Sequence, residues 1–183
     1  MIVLLIESLY FFLPAYVANM SASLSKNINF LKPLRVPVDF GKKINGYRIF
    51  GDHKTWRGLI SGTLTGTAIA ILQLYLYNVP YFEKISLIDY KEVNILLFGF
   101  LISFGAIFGD ILFAFFKRRK NIKPGSPWIP FDQINFVIGS FLLLSPFIKI
   151  EIGMWLIIFI LTFFLHIIVN HIGYFLGLQK NKC

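Results

Sequence analysis

The stretch that decides the fold reads GFLISFGAIFGDILFAFFKRRKNIKPGSPWIPFDQIN and covers residues 99–135. It begins as an apolar helix that carries one carboxylate, Asp110, and this helix ends in consecutive cations at 117–120. A turn rich in proline and glycine follows, and a second carboxylate, Asp132, comes after it. A charged side chain inside a membrane helix costs roughly 2.5–3.5 kcal/mol on insertion scales, which predicts a function for Asp110. Two acids that flank a basic loop indicate a site where metal ions meet phosphate.

The composition of the chain indicates an integral membrane protein. It has 183 residues, of which 56% are hydrophobic, and it contains 21 phenylalanines. This is too apolar for a soluble domain of the same size, and long apolar runs recur along the chain. The net charge is nevertheless +9. A positive-inside topology accounts for part of this excess, and we expect an anionic partner such as phosphate or a lipid headgroup to account for the rest.

The apolar runs predict an all-α, polytopic membrane protein with a single transmembrane catalytic domain over residues 1–183. The five predicted spans cover residues 2–20, 59–79, 93–116, 134–148 and 152–178. No cations precede the first run, which predicts a retained span rather than a signal peptide. The fourth run is shorter than a usual span. It therefore starts inside the preceding loop, lies partly buried in protein, or is re-entrant.

Two polar segments, 21–58 and 117–134, carry most of the cations. The positive-inside rule predicts that both are cytoplasmic loops of a multi-pass protein in the cell membrane. Lys180 and Lys182 predict a cytoplasmic C terminus, and five spans then put the N terminus outside. Aromatic residues dispersed through 21–58 favour a folded loop on the bilayer surface over a disordered linker.

Small residues recur at helical spacing in the second and third spans. Gly58, Gly62 and Gly66 follow one another every four residues, and Gly105 and Gly109 repeat this spacing. The pattern predicts faces on which another helix packs closely.

Two other spans contain residues that are unusual in a lipid environment. Pro14 predicts a kink in the first span rather than its end, because neighbouring groups can satisfy the backbone group that proline frees. His166 and Asn170 lie one turn apart on one face of the last span. They predict either hydrogen bonds between helices or a contact with substrate.

A second chemically dense stretch reads GDHKTWRG and covers residues 51–58. Its glycines let the backbone approach a ligand, Lys54 and Arg57 supply positive charge, and Thr55 supplies a hydroxyl. The spacing differs from that of a P-loop. On the residues alone, a phosphate-binding loop and a basic interfacial anchor with Trp56 in the aromatic belt are equal alternatives.

Several kinds of site and partner are excluded by motifs that the sequence lacks. It has no Ser-His-Asp arrangement, no Cys/His spacing for zinc and no dinucleotide glycine fingerprint. Its single cysteine, Cys183, cannot form an internal disulfide. The basic loops adjoin membrane spans, which favours lipid and nucleotide phosphates over nucleic acid as partners. A transporter would show inverted repeats and charges at the midplane, and neither is found.

Four ordered motifs carry a resemblance to a known family. They are PVDFGKK at 37–43, GDHKTWRG at 51–58, GDILFAFFKRR at 109–119 and IKPGSPWIPFDQINF at 122–136. Together they resemble the CDP-archaeol synthases, which are relatives of phosphatidate cytidylyltransferase, and the resemblance extends over nearly the whole chain. One position departs from the family pattern, because Asn135 stands where a second aspartate is usual.

The resemblance implies that CTP and digeranylgeranylglyceryl phosphate, an isoprenoid lipid, react to give CDP-archaeol and pyrophosphate. It implies that the metal ligands are Asp110 and Asp132, with Mg²⁺ as the cofactor. The groups implied to neutralise the triphosphate and the lipid phosphate are Lys54, Arg57, Lys117 and Arg118, of which Lys117 is also counted as catalytic. Weaker candidates for contacting or supporting the nucleotide are Asp52, Thr55 and Gln133.

Alternatives to this reaction stay open on the sequence. The acceptor could be diacylglycerol phosphate, with the same chemistry. The chain could also be a non-catalytic subunit that binds anionic lipids. A homodimer is an assembly that the sequence neither requires nor excludes.

Overall fold

The computed structural model describes residues 2–123 and 126–175. Its helices are α1 (Ile2–Leu24), α2 (Trp56–Leu76), α3 (Pro80–Lys84), α4 (Ile95–Arg119), α5 (Phe131–Leu144) and α6 (Ile152–Phe175). A hairpin of two short strands, β1 (Lys43–Ile44) and β2 (Tyr47–Arg48), lies between α1 and α2. The all-α class is therefore confirmed. The predictions that concern Pro124, Gly125, Lys180, Lys182 and Cys183 lie outside the described residues.

Four of the described helices, α1, α2, α4 and α6, are long and apolar enough to cross a membrane. The fifth apolar helix, α5, has 14 residues. At about 1.5 Å per residue it spans roughly 21 Å, less than the hydrocarbon core of about 30 Å. One face of α5 is buried in the protein. Of the three alternatives for the short fourth run, the structure bears out two, because α5 starts at Phe131, inside the predicted loop 117–134, and is partly buried in protein.

The glycine face of α2 packs against α1 on one side and α4 on the other. A methyl group added at Gly62 would lie 2.8 Å from the Ala18 carbonyl oxygen and 2.7 Å from the end of the Ile107 side chain. At Gly66 it would overlap Ser103 and approach the Pro14 carbonyl oxygen. The predicted close-packing face is confirmed, because neither position has room for a side chain.

Helices α4 and α5 also approach through glycines. A methyl group at Gly109 would overlap the backbone of Asn135, and one at Gly139 would overlap the carbonyl of Gly105. This contact places the first two turns of α5 directly beside Asp110, which is the next residue of α4 after Gly109. The packing of two apolar helices thus brings polar side chains together at one end.

Helix α1 continues through Pro14, as expected. A proline has no N–H, so the carbonyl one turn earlier, that of Tyr10, loses its helical donor. The side chain of Gln73 in α2 donates to this carbonyl at 2.5 Å. The neighbouring helix therefore satisfies the backbone group that Pro14 frees.

Helix α1 ends at Leu24, beyond the predicted end of the first span at residue 20. The hydroxyl of Ser21 donates to the carbonyl of Ala18 at 3.1 Å, and that of Ser25 donates to the carbonyl of Ala22 at 2.8 Å. These bonds satisfy the serine hydroxyls within the helix, so polar side chains do not end it.

The segment between α1 and α2 is a folded loop, as predicted. It continues from α1 through 3₁₀ turns at Ser25–Asn27 and Asn29–Leu34. Its hairpin turns at Asn45 and Gly46, whose φ angles of 52° and 80° are the left-handed values that such a turn needs. The structure thus places this loop at the end of the bundle where α1 and α4 end and α2 and α5 begin. We call this the polar end.

Candidate functional site

The residues predicted to bind metal and phosphate meet at the polar end. A cavity of about 100 Å³, the central cavity, has Lys54, Asp110, Lys117, Arg118, Asp132 and Asn135 in its wall. They come from the loop before α2, from the last turns of α4 and from the first turns of α5. Because the chain folds back after α4, both acids face one cavity, as the sequence predicts.

Asp132 is held by Lys117 and by the loop that joins α4 to α5. The Lys117 ammonium donates to both carboxylate oxygens, at 2.7 and 3.0 Å, and to the carbonyl of Ser126 at 2.8 Å. The N–H of Trp128 donates to the same carboxylate at 2.8 Å. These contacts fix Asp132 at the start of α5, where the positive end of the helix dipole also favours a carboxylate.

Asp110 is paired with a lysine from a different part of the chain. The Lys54 ammonium lies 2.5 Å from one of its carboxylate oxygens. The amide of Asn135 donates to the other oxygen at 3.4 Å. Each acid of the central cavity therefore has its own lysine, and the two negative charges are balanced locally.

Arg118 is the cation of the central cavity without a carboxylate partner among the described residues. Its Nε is buried and has no hydrogen-bond partner within the described part of the chain. Its guanidinium also lines a larger cleft of about 480 Å³, the outer cleft, which lies between the hairpin and residues 121–123. Arg118 and Gly51 border both spaces, so the outer cleft adjoins the central cavity.

Asp39 organises the loop that carries Lys54, and the sequence analysis did not single it out. Its buried carboxylate accepts hydrogen bonds from the N–H groups of Gly41, Phe50 and Gly51, at 3.0, 3.0 and 3.1 Å. Arg48 donates to it at 2.7 Å. Burial by itself would raise the pKa of Asp39, but the four donors lower it from 3.8 to about 2. The carboxylate therefore stays charged at neutral pH and holds Gly51 at the edge of the central cavity.

Arg119 ties the hairpin to α4. Its guanidinium donates to the carbonyl of Ile44 at 3.0 Å and to that of Arg48 at 2.8 Å. The hairpin forms one wall of the outer cleft, so Arg119 sets the position of that wall. The Asn45-Gly46 pair in the sequence is a strong hairpin signal and could have revealed this element.

The weaker candidates lie around the cavity rather than in it. The exposed carboxylate of Asp52 pairs with Arg48. The Thr55 hydroxyl caps α2 by accepting from the N–H of Gly58 at 3.3 Å. The side chain of Gln133 is fully buried. Their roles toward a nucleotide stay predictions.

Three other predicted residues do not line the central cavity. Arg57 is buried at the start of α2 and is not among the residues that line that cavity. His166 and Asn170 bond to each other at 3.1 Å. This bond lies within α6, and the two alternatives for the pair, bonds between helices or a contact with substrate, stay predictions.

The donor set of the central cavity fits a hard divalent cation. Within the described residues no three His, Cys, Asp or Glu side chains cluster as a metal site. Asp110 and Asp132 nevertheless offer two carboxylates, and Asn135 offers an amide oxygen. Mg²⁺ usually binds one or two carboxylates and completes its shell with water and substrate phosphate. The residues present therefore fit Mg²⁺ that shares its ligands with a phosphate substrate.

Comparison with known proteins assigns the family. The CarS-like family model, described as CDP-archaeol synthase, matches residues 1–182. The chain belongs to the CDP-archaeol synthase family. The resemblance carried by the four sequence motifs is thus confirmed. Three of these motifs supply the wall of the central cavity, with Lys54, Asp110 and Asp132 each from a different one.

Relatives match the chain over almost its full length. The CDP-archaeol synthase of Methanocaldococcus jannaschii is 38% identical over 177 residues, which is 96% of each chain. That of Pyrococcus furiosus is 36% identical over 171 residues, which is 93% of each chain. A solved structure described as an intramembrane enzyme for archaeal membrane lipids biosynthesis has a TM-score of 0.71 and 25% identity to this chain. The match covers 88% of this chain and 91% of the chain in the solved structure. It confirms a multi-pass membrane fold.

Proposed function

We propose that this protein transfers the cytidylyl group of CTP to digeranylgeranylglyceryl phosphate, which gives CDP-archaeol and pyrophosphate. The observation that carries the proposal is the central cavity. Two acids, two lysines and an arginine line one space at the end of a bundle of membrane helices. Such a set suits chemistry between two phosphates, one of which is attached to a lipid.

The reaction needs little help from a base. An oxygen of the lipid phosphate, which is already anionic, forms the new bond to the α-phosphorus of CTP. The bond from that phosphorus to the oxygen that bridges to the β-phosphorus breaks, and its electron pair leaves with pyrophosphate. The difficulty is to bring two polyanions together and to stabilise the charge in an in-line displacement, which cations and positioning achieve.

The lysines of the central cavity have two alternative anionic partners in this proposal. In the structure Lys54 and Lys117 lie 2.5 and 2.7 Å from Asp110 and Asp132. Mg²⁺ held by these two aspartates would supply positive charge to the triphosphate. The lysine ammonium groups would then turn from the carboxylates to phosphate oxygens, and Arg118 would hold the leaving pyrophosphate.

We also propose that the polar end faces the cytoplasm, where CTP is present. Its cationic loops support this orientation. Single cysteines at Asn27 and Asn121, in a Cys183→Ser background, should react only with a reagent added from the cytoplasmic side. Reaction of either cysteine from outside would contradict the orientation.

The decisive experiment uses the purified full chain in lipid vesicles with CTP labelled at the α-phosphate. We expect the label to move to digeranylgeranylglyceryl phosphate, pyrophosphate to appear in equal amount, and chelation of Mg²⁺ to stop the reaction. Diacylglycerol phosphate in a parallel assay measures how far the tails matter. No transfer to either lipid would contradict the proposed function and favour a lipid-binding subunit.

A further inference from the structure

Arg57 is a buried cation that has no counter-ion among the described residues. Arg57 is 5% exposed to solvent. Its Nε has no partner within the described chain, and its Nη1 reaches only the carbonyl of Lys26, at 3.5 Å. No carboxylate of the described residues lies within ion-pair distance of it. Burial of an unpaired charge is unfavourable, so binding of an anion from outside the chain would stabilise this guanidinium.

The space beside Arg57 is large and strongly cationic. A cavity of about 550 Å³, the Arg57 cavity, is lined by Lys26, Lys32, Arg35 and Arg57, together with His53 and Thr55. Its one acidic wall residue is Asp52, which pairs with Arg48. The cavity also lies at the N terminus of α2, where the helix dipole adds to the attraction for an anion.

A small third cavity, the connecting cavity, lies between the Arg57 cavity and the central one and shares wall residues with both. This space of about 110 Å³ shares Lys26 and Thr55 with the former, and it shares Lys54 and Asp110 with the latter. The Lys54–Asp110 ion pair is therefore part of the wall between the two sides. An anion bound at Arg57 would lie on the opposite side of this pair from Lys117 and Arg118.

The segment around the Arg57 cavity has the composition of a membrane interface. Its cations alternate with exposed apolar side chains, namely Leu24, Ile28 and Phe30, of which Phe30 is 88% exposed. The segment follows directly on α1, a candidate membrane span. Apolar side chains that enter the acyl boundary beside cations at headgroup level are typical of a surface that binds anionic lipids.

We infer that the Arg57 cavity binds the phosphomonoester headgroup of the lipid substrate, while the central cavity and the outer cleft bind the nucleotide. The inference rests on the proposed function and adds the side from which each substrate enters. In-line transfer requires the attacking and leaving oxygens on opposite sides of the α-phosphorus. Two groups of cations on opposite sides of the Lys54–Asp110 pair would meet this requirement with the α-phosphorus placed at that pair.

The test compares binding of the two substrates one at a time, without turnover. The full chain in neutral detergent is titrated with digeranylgeranylglyceryl phosphate alone, or with CTP and Mg²⁺ alone, and affinity is read from the rise in melting temperature. Arg57→Gln should weaken lipid phosphate binding roughly ten- to a hundredfold, the range of a charge-assisted hydrogen bond. Its nucleotide affinity should stay within about twofold.

Two variants serve as matched controls. Arg118→Gln removes the unpaired guanidinium on the other side and should show the reverse pattern, with nucleotide affinity lowered and lipid affinity kept. Lys42→Gln removes an exposed cation of the same loop that lines none of these cavities and should change neither. Because Arg57 is buried, Arg35→Gln on the exposed rim provides a second variant, for which we expect a smaller loss in lipid phosphate binding alone.

Further arms identify the source of the phosphate. The neutral diether alcohol, which lacks the phosphate, should not compete with digeranylgeranylglyceryl phosphate for binding. Inorganic phosphate should compete with it only weakly. The inference is overturned if Arg57→Gln and Arg35→Gln bind the lipid phosphate normally, or if Arg57→Gln loses CTP instead. Normal CMP transfer with unchanged lipid affinity in both variants would remove the inference and leave the proposed function. Arg57-dependent lipid binding without any transfer by the unmodified chain would support the inference and contradict the proposed function.

Discussion

The two sides of the Lys54–Asp110 pair differ in how their charges are balanced. On the central side, Asp110 and Asp132 are each neutralised by a lysine, and one arginine is left over. On the other side, four cations line a cavity in whose described wall Asp52 is the one acid, and Asp52 is already paired with Arg48. A compensated site suits a ligand that brings its own cation, as CTP does with Mg²⁺. An uncompensated site suits a bare anion such as a lipid phosphate.

The largest expected effect comes from substitution of the two aspartates on the central side of the Lys54–Asp110 pair. Asp110→Asn and Asp132→Asn should each keep the fold, because neither carboxylate is fully buried. Each should lower kcat/KM roughly a thousandfold or more, since metal stabilisation supplies several kcal/mol and each 1.36 kcal/mol is about tenfold. Kinetics of Mg²⁺-dependent CMP transfer measure the loss. Near-normal turnover by either variant would contradict the assignment of these acids to the metal.

Substitution of Lys54, which forms part of the wall between the two sides, should have the next largest effect. Lys54→Ala takes away a cation that borders both the central and the connecting cavity. We expect kcat/KM to fall roughly ten- to a hundredfold, the value of a charge-assisted hydrogen bond. Because Lys54 lines both cavities, the proposed sites predict that the loss appears whether CTP or the lipid is varied. A loss confined to one substrate would show that the two sides are not joined at this residue.

Substitution of Arg119 should have a smaller effect, and one that distinguishes the nucleotide side from the lipid side. Arg119→Ala frees the hairpin from α4 and so loosens one wall of the outer cleft. The KM for CTP should rise about tenfold, as expected for loss of charged hydrogen bonds near the lower end of their range, while the KM for the lipid stays unchanged. Arg119→Lys, which keeps the charge but offers one nitrogen instead of two to the two carbonyls, should recover part of the loss. An equal rise in both KM values would place the hairpin's influence on both sides.

The smallest expected effect is at Asn135. Asn135→Asp restores the residue usual in the family and adds a carboxylate beside Asp110. Two close carboxylates repel unless a cation lies between them, so the variant should be tolerated when Mg²⁺ is present. We expect kcat within about threefold of the unmodified chain, which is less than 1 kcal/mol. A large loss that excess Mg²⁺ does not reverse would mean that the amide of Asn135 is needed as a donor to Asp110.

The bundle was largely predictable because its signals are local. Apolar runs predict α1, α2, α4, α5 and α6 within a few residues, and the boundary errors have simple causes such as the serine hydroxyls that bond back into α1. Glycine spacing predicts the close faces of α2 and α4, since four residues is about one helical turn. The hairpin was missed although its Asn-Gly turn is present in the sequence.

The site was predictable in its members but not in its pairing. Motifs identified Lys54, Asp110 and Asp132, and the folding back of the chain after α4 brought the two acids to one cavity. Arg57 stands only three residues from Lys54, yet it lines a different cavity. The direction of a side chain in the first turn of α2 depends on how that helix packs against α1 and α4, which no short motif encodes.

The sequence by itself determined the class of protein, the number of apolar helices, the family and the set of charged residues at the polar end. These follow from composition, periodicity and motifs, which are properties of neighbouring residues. Only the tertiary structure decided that Lys54 pairs with Asp110, 56 positions away, that Asp39 holds the loop, and that Arg57 is buried with no counter-ion in the part of the chain that the structure describes. Such facts depend on contacts between distant segments, because the free energy of a charge is set by what surrounds it after folding.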